Sequence, residues 1–90
     1  MRIAALAAAH YRPIVPHHYS SGILGAVSVH INASIPNGLF QEWPAEGSEL
    51  NTALVDPAIT IDGDGFIIIP EGPGLGVELN QEIFKKYRVN

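Results

Sequence analysis

Ninety residues with 47% hydrophobic content make one small domain, which at this size hides only about 60–65% of the surface its unfolded chain exposes. Nine acidic residues outnumber five basic ones for a net charge of −4, and the bases (Arg2, Arg12, Lys85, Lys86, Arg88) sit mostly at the two ends, which excludes a nucleic-acid footprint. With no cysteine there is neither a disulfide framework nor a thiolate metal site, the chain reads as cytoplasmic, and no apolar run approaches the roughly 20 residues that span a membrane.

The N-terminal residues 1–9 are apolar and Ala-rich and lead into His10, Tyr11 and Arg12 with no cleavage region, so they read as helix and not as a signal peptide. The density of Ala and Leu predicts a helix over 2–11, ended by Pro13. It is apolar nearly all round and wants protein on more than one side. Residues 13–16 predict a short, fully buried strand, because Ile14 and Val15 lack polar alternation. Ser20 and Ser21 are N-cap candidates for the next helix, in which Ile23, Val27, Ile31 and Ile35 recur at four-residue spacing as one apolar stripe. Pro36-Asn37-Gly38 closes that helix, residues 39–42 form the next strand, and Trp43-Pro44 breaks it. Helix, strand, helix and strand in this order make a βαβ unit, for which a right-handed crossover is expected.

From Ala45 the character changes. Residues 50–55 hold a turn or two of helix, and 58–61 and 66–69 flank Asp62-Gly63-Asp64-Gly65, an antiparallel hairpin signal. A glycine-rich loop covers 71–76. Asn80 is a plausible cap for a last helix that ends at Tyr87, with Lys85, Lys86 and Arg88 near its negative end.

The chemistry gathers where the two early strands stop. A barrel strand that carries buried aliphatics and then delivers a titratable group at its C-terminal end is how α/β barrels build active sites. The first strand runs into His17 and His18. A ring facing the pocket can abstract or return a proton near neutral pH, or else simply cap the strand on a backbone carbonyl. Alternation allows only one of the two inward; His17, directly after Pro16, takes that direction and His18 turns away. Glu42 ends the second strand. A carboxylic acid desolvated in a barrel mouth can donate a hydrogen bond to a developing enolate oxygen, whereas on an open surface it is an ordinary ionised group. Gln41 competes with it for the inward direction, and His18 and Gln41 complete the candidate set as substrate contacts.

Other motifs read as structure. His30 falls near the apolar face of its helix as a partly buried structural residue. His10, His17, His18 and His30 contain no i, i+4 pair of the zinc type. The loop at 72–76 lacks the spacing of a phosphate cradle, and Asp62 and Asp64 lack the remaining ligands of a calcium loop, so both are turn chemistry.

Taken in order, Arg2-Ile-Ala-Ala-Leu-Ala-Ala-Ala-His10, Val15-Pro16-His17, His30-Ile-Asn-Ala-Ser-Ile-Pro-Asn-Gly38, Leu39-Phe-Gln-Glu42 and Pro70-Glu-Gly-Pro-Gly-Leu-Gly-Val-Glu-Leu79 resemble the C-terminal end of an enolase-superfamily protein of the mandelate racemase and muconate-lactonising type. The resemblance covers essentially the whole chain. It implies an α/β fold: residues 1–57 as the last two βα units of a modified TIM (β/α) barrel, and 58–90 as a hairpin and helix returning to the capping domain. It also implies proton abstraction next to the carboxylate of a sugar acid, through an enediolate stabilised by Mg²⁺, with dehydratase chemistry favoured over racemase. On this chain His17 matches the general acid/base and Glu42 the carboxyl group that hydrogen-bonds the intermediate.

The metal carboxylates, the Lys-containing motif and the Asp that orients the histidine belong to earlier parts of such a protein. The expectation is therefore a piece equivalent to about its last quarter, holding no Mg²⁺ and inactive alone. Alternatively it is a non-catalytic module that works only by associating with other chains; either way self-association is expected.

Overall fold

The computed structural model describes residues 1–89, so the expected second segment, 58–90, ends outside the described residues. Helix α1, Arg2–Ala9, forms where Ala and Leu concentrate and buries only Ala4, leaving Ile3 and Leu6 exposed. It stops in a left-handed turn. Tyr11 has φ +53°, its N–H donates to the Ala8 carbonyl at 2.9 Å, and the Arg12 N–H donates to the Ala7 carbonyl at 2.9 Å, so the last carbonyls of the helix find partners. The Asn37 side-chain amide then donates to the Ala4 carbonyl at 3.1 Å and the Arg12 carbonyl at 2.9 Å, pinning both ends of this segment to a turn far along the chain.

Helix α2, Gly22–Ser34, starts at Ser21, whose hydroxyl accepts from the Leu24 N–H at 3.4 Å. Its buried face corrects the expected stripe. Gly22, Gly25, Ala26, Ser28 and Val29 are buried, while Ile23 and Ile31 are exposed and only Ile35 of the expected set is in the core. Gly22, Gly25, Ala26 and Val29 follow the i, i+3, i+4, i+7 rule as faithfully as the isoleucines do. The smaller residues win because neighbours come too close for side chains: a Cβ at Gly22 would lie 3.0 Å from Val55 Cγ2 and 3.1 Å from the Asn51 carbonyl.

The two early strands are also corrected. Instead of buried ladders there is a single parallel bridge, Ile14 with Gly38, made by the Ile14 N–H to the Asn37 carbonyl at 2.8 Å and the Leu39 N–H to the Ile14 carbonyl at 3.1 Å. Ile14 and Val15 are half-buried, and Leu39 and Phe40 are exposed. Two extended segments with no further strand beside either one among the described residues have few partners with which to extend a ladder. Parallel bridging across α2 is nonetheless the connectivity of a βαβ unit.

Helix α3, Glu49–Thr52, opens at Ser48, whose N–H and hydroxyl each donate to Asn51 Oδ1 at 3.1 Å. Strand β1, Val55–Asp56, pairs antiparallel with β2, Glu78–Leu79, in the register Val55 to Leu79 and Asp56 to Glu78. The segments 58–61 and 66–69 share one antiparallel bridge, Ile61 with Ile67. Their turn is held by Asp62 Oδ1, which accepts from Asp64 N–H at 3.0 Å and Phe66 N–H at 2.8 Å. The glycine-rich loop returns the chain to β2; Gly76 has φ +67° there, and a Cβ would lie 2.7 Å from the Pro70 carbonyl. His30 Nε2–H donates to the Leu75 carbonyl at 3.0 Å, tying the loop to α2.

Helix α4, Gln81–Tyr87, is capped by Asn80 Oδ1, which accepts from the Glu82 and Ile83 N–H groups. Its far end reaches α3, where Glu49 accepts from Lys86 and from the Tyr87 hydroxyl. The Lys86 and Tyr87 hydrogen bonds lower the Glu49 carboxyl below its ordinary value; the bond to Glu49 raises Lys86 and Tyr87 above theirs. The buried apolar residues are Ala4, Ala26, Val29, Ile35, Leu54 and Val55, a core built around α2 and β1. Among the described residues no helix is long and apolar enough to cross a membrane.

Candidate active site

His17 and Glu42, 25 positions apart, meet because the parallel bridge and α2 bring the ends of their two segments side by side. With its proton on Nδ1, the His17 ring donates to Glu42 Oε2 at 3.0 Å. Both groups are open to solvent, the His17 side chain 77% exposed and the Glu42 side chain 40%. In this tautomer the Nε2 lone pair is free, the arrangement in which an imidazole acts as a base while one carboxyl oxygen holds its orientation.

His18 goes the other way. It is 1% exposed, its Nε2–H donates to the Ser21 carbonyl at 3.1 Å, and its ring lies against Trp43 with centroids 4.7 Å apart at 57°. Gly25 makes room for it. A Cβ there would stand 3.0 Å from His18 Cε1 and 3.3 Å from Trp43 Cη2. Gln41 turns along the backbone, its Nε2 donating to the Glu42 carbonyl at 2.9 Å, while its Oε1 is buried with no partner among the described residues.

Gln41 and His18 line two different clefts of about 400 Å³ each, the first with Phe40, Ile61 and Phe66, the second with Trp43, Asn51 and Thr60. Neither cleft is lined by His17 or Glu42. Two strand ends make an edge and not a concavity; a barrel mouth is concave because ends converge from all round.

Sequence reasoning passed over Trp43 and Gly25 as parts of this region. Trp43 stood only as a strand breaker, and the signal available was a lone tryptophan directly after Glu42. For Gly25 it was a helix carrying glycines at 22 and 25, three residues apart on one face.

The Mg²⁺ that the resemblance implies needs several carboxylates in one place. Among the described residues no three His, Asp or Glu side chains converge. The residues present do not fit that ion.

A parallel bridge spanned by a helix, with a histidine and a carboxyl group meeting beyond it, defines a piece of α/β structure. The chain belongs to the enolase C-terminal domain-like family, whose model matches residues 1–83. It is a member of the enolase superfamily, of the mandelate racemase and muconate-lactonising type, with sugar-acid dehydratases among its homologues.

D-xylonate dehydratase of Haloferax volcanii is 34% identical over 88 residues, 98% of this chain and 21% of that protein. Arabinonate dehydratase of Saccharolobus solfataricus is 27% identical over 88 residues, 98% of this chain and 23% of that one. The crystal structure of a mandelate racemase/muconate lactonizing enzyme from Jannaschia sp. matches with a TM-score of 0.84 at 35% identity, covering 99% of this chain and 22% of the other. The chain thus spans less than a quarter of the length of each.

Proposed function

We propose that this chain supplies the proton-transfer residues of a site that removes the hydrogen next to the carboxylate of a sugar acid, in a dehydratase of the enolase superfamily. His17 Nε2 takes the proton, the C–H electron pair passes into the carboxylate to give an enediolate, and Glu42, protonated on Oε1 while Oε2 accepts from His17 Nδ1–H, donates a hydrogen bond to an enediolate oxygen. The protonated ring then returns its proton to the departing hydroxyl, so that water leaves and the ring is ready again. Gln41 and His18 flank these groups. Residues 1–57 form the barrel part and 58–90 the return to the capping domain.

The observation that carries the reading is the 3.0 Å contact between His17 Nδ1 and Glu42 Oε2. It joins the ends of the two segments on which the resemblance puts the acid/base and the intermediate-binding carboxyl. The test uses a polypeptide, joined or added as a second chain, that supplies the remaining barrel strands. There His17→Asn should abolish exchange of the substrate α-hydrogen with solvent deuterium. Glu42→Gln should lower kcat more than it raises KM, by roughly 10²–10³, as for loss of one oxyanion donor. Undiminished exchange in His17→Asn would sink the reading. The ninety residues alone should turn over no sugar acid.

A second reading is favoured by the exposure of Leu39, Phe40, Phe66 and Ile68: a non-catalytic module that acts by covering those side chains with another chain. Binding of complementary barrel strands with no gain of α-hydrogen exchange would select it.

A further inference from the structure

We propose that His18 and Trp43 are positioning residues that hold His17 against Glu42, an inference that rests on the pairing of those two side chains. His18 directly follows His17, and Trp43 directly follows Glu42. The contact between the two rings, 4.7 Å between centroids, therefore ties the backbone just past the base to the backbone just past the carboxyl.

Each side of this clamp is anchored. The His18 ring, 1% exposed, donates from Nε2 to the carbonyl of Ser21, the N-cap of α2. Gly25, on the buried face of α2, leaves a slot that any side chain would close, since a Cβ would lie 3.0 Å from His18 Cε1, 3.1 Å from His18 Nε2 and 3.3 Å from Trp43 Cη2. The pair above is a single 3.0 Å contact between exposed side chains, a kind of interaction that holds itself together only weakly in water. Proton transfer needs reacting groups held within a fraction of an ångström, and the contact of the buried His18 ring with the half-buried Trp43 beneath supplies that restraint. With the His18 ring 1% exposed and its Nε2–H given to the Ser21 carbonyl, it acts through the backbone of its neighbour and not on a substrate.

The test reads the tautomer of His17 in the full chain by ¹⁵N NMR of the ring nitrogens, at a pH where the imidazole is neutral. A solvated ring prefers the Nε2–H form, whereas a ring donating to Glu42 carries its proton on Nδ1. The unsubstituted chain should show the Nδ1–H signature and Glu42→Ala should lose it. Trp43→Leu, which fills space without a ring, should lose it too, with His17 and Glu42 both present; Trp43→Phe should restore it.

If Trp43→Leu keeps the signature while Glu42→Ala loses it, the clamp is overturned and the pair stands. If the unsubstituted chain and Glu42→Ala have the same tautomer, the pairing itself fails. Should Trp43→Leu not fold, the nuclear Overhauser contact between the His18 and Trp43 rings in the unsubstituted chain decides, and its absence overturns the proposal.

Discussion

At the level of single residues, Tyr11 holds a left-handed backbone, with φ +53°, and is 96% exposed. A non-glycine residue pays roughly 1–2 kcal/mol there, and an exposed ring returns little of it. Tyr11→Gly should therefore stabilise the chain by about 1 kcal/mol, the gain being trimmed by the greater freedom of glycine in the unfolded chain. Urea unfolding checks it: the midpoint should rise at unchanged slope. The sequence carries this helix on to Tyr11 because Pro13 is the breaker it shows, whereas the helix ends at Ala9 and Tyr11 makes the turn; that depends on Asn37, which grips the Arg12 carbonyl from elsewhere. The histidines divide in the same way. Alternation along an extended segment sends His17 and His18 in opposite directions, but it is His18 that is buried and lines a cleft while His17 stays open to solvent; that burial depends on a slot in α2 that no local pattern announces.

Among the elements, what was legible is what is local. Ser21 and Asn80 cap their helices with their own side chains, and the Asp62 turn closes on itself. The β1–β2 pairing was not legible, since two residues per strand carry no period and their partners lie more than twenty positions apart. The buried face of α2 was misjudged because hydrophobicity outweighed size. That face makes a sharp prediction: Gly25→Leu should destabilise by roughly 1–3 kcal/mol through overpacking against His18 and Trp43, despite the better helix propensity of leucine. Chemical denaturation measures the loss, and an unchanged midpoint would show that α2 does not approach those rings so closely.

The α3–α4 contact has a pH signature. Glu49 is lowered by its hydrogen bonds to Lys86 and Tyr87, so its contribution is present above the ordinary carboxylate range and lost as pH falls through its lowered value. Lys86 and Tyr87 are raised by Glu49, so theirs is present below their ordinary values and lost as pH rises through the raised ones. Amide exchange in α4 should quicken at both extremes, and Glu49→Gln should remove both dependences; as these groups are exposed, added salt should blunt the effect.

For the molecule as a whole, a core of three aliphatic β-branched residues, one leucine and two alanines is small, and the apolar surface left open on α1, at 39–40 and at 66–69 is large by comparison. We expect the chain to self-associate or to unfold at low temperature. Sedimentation at micromolar concentration, together with a thermal melt, checks this; a monomer melting cooperatively well above room temperature would contradict it. Family and α/β class were legible because ordered motifs survive in any piece of chain, whereas ladders were over-predicted because strand formation depends on neighbours that these residues do not supply.

The Asn37 amide has a consequence for chemical ageing. It precedes Gly38, and an asparagine followed by glycine is prone to lose its side-chain nitrogen as ammonia when the next backbone nitrogen attacks it. The carboxylate left after hydrolysis has no hydrogen to give, so the Ala4 and Arg12 carbonyls would lose their common donor and face a negative charge instead. Deamidation at this one position should release the N-terminal helix before any other, and mass spectrometry of stored protein alongside amide exchange in α1 should show the two changes advancing together.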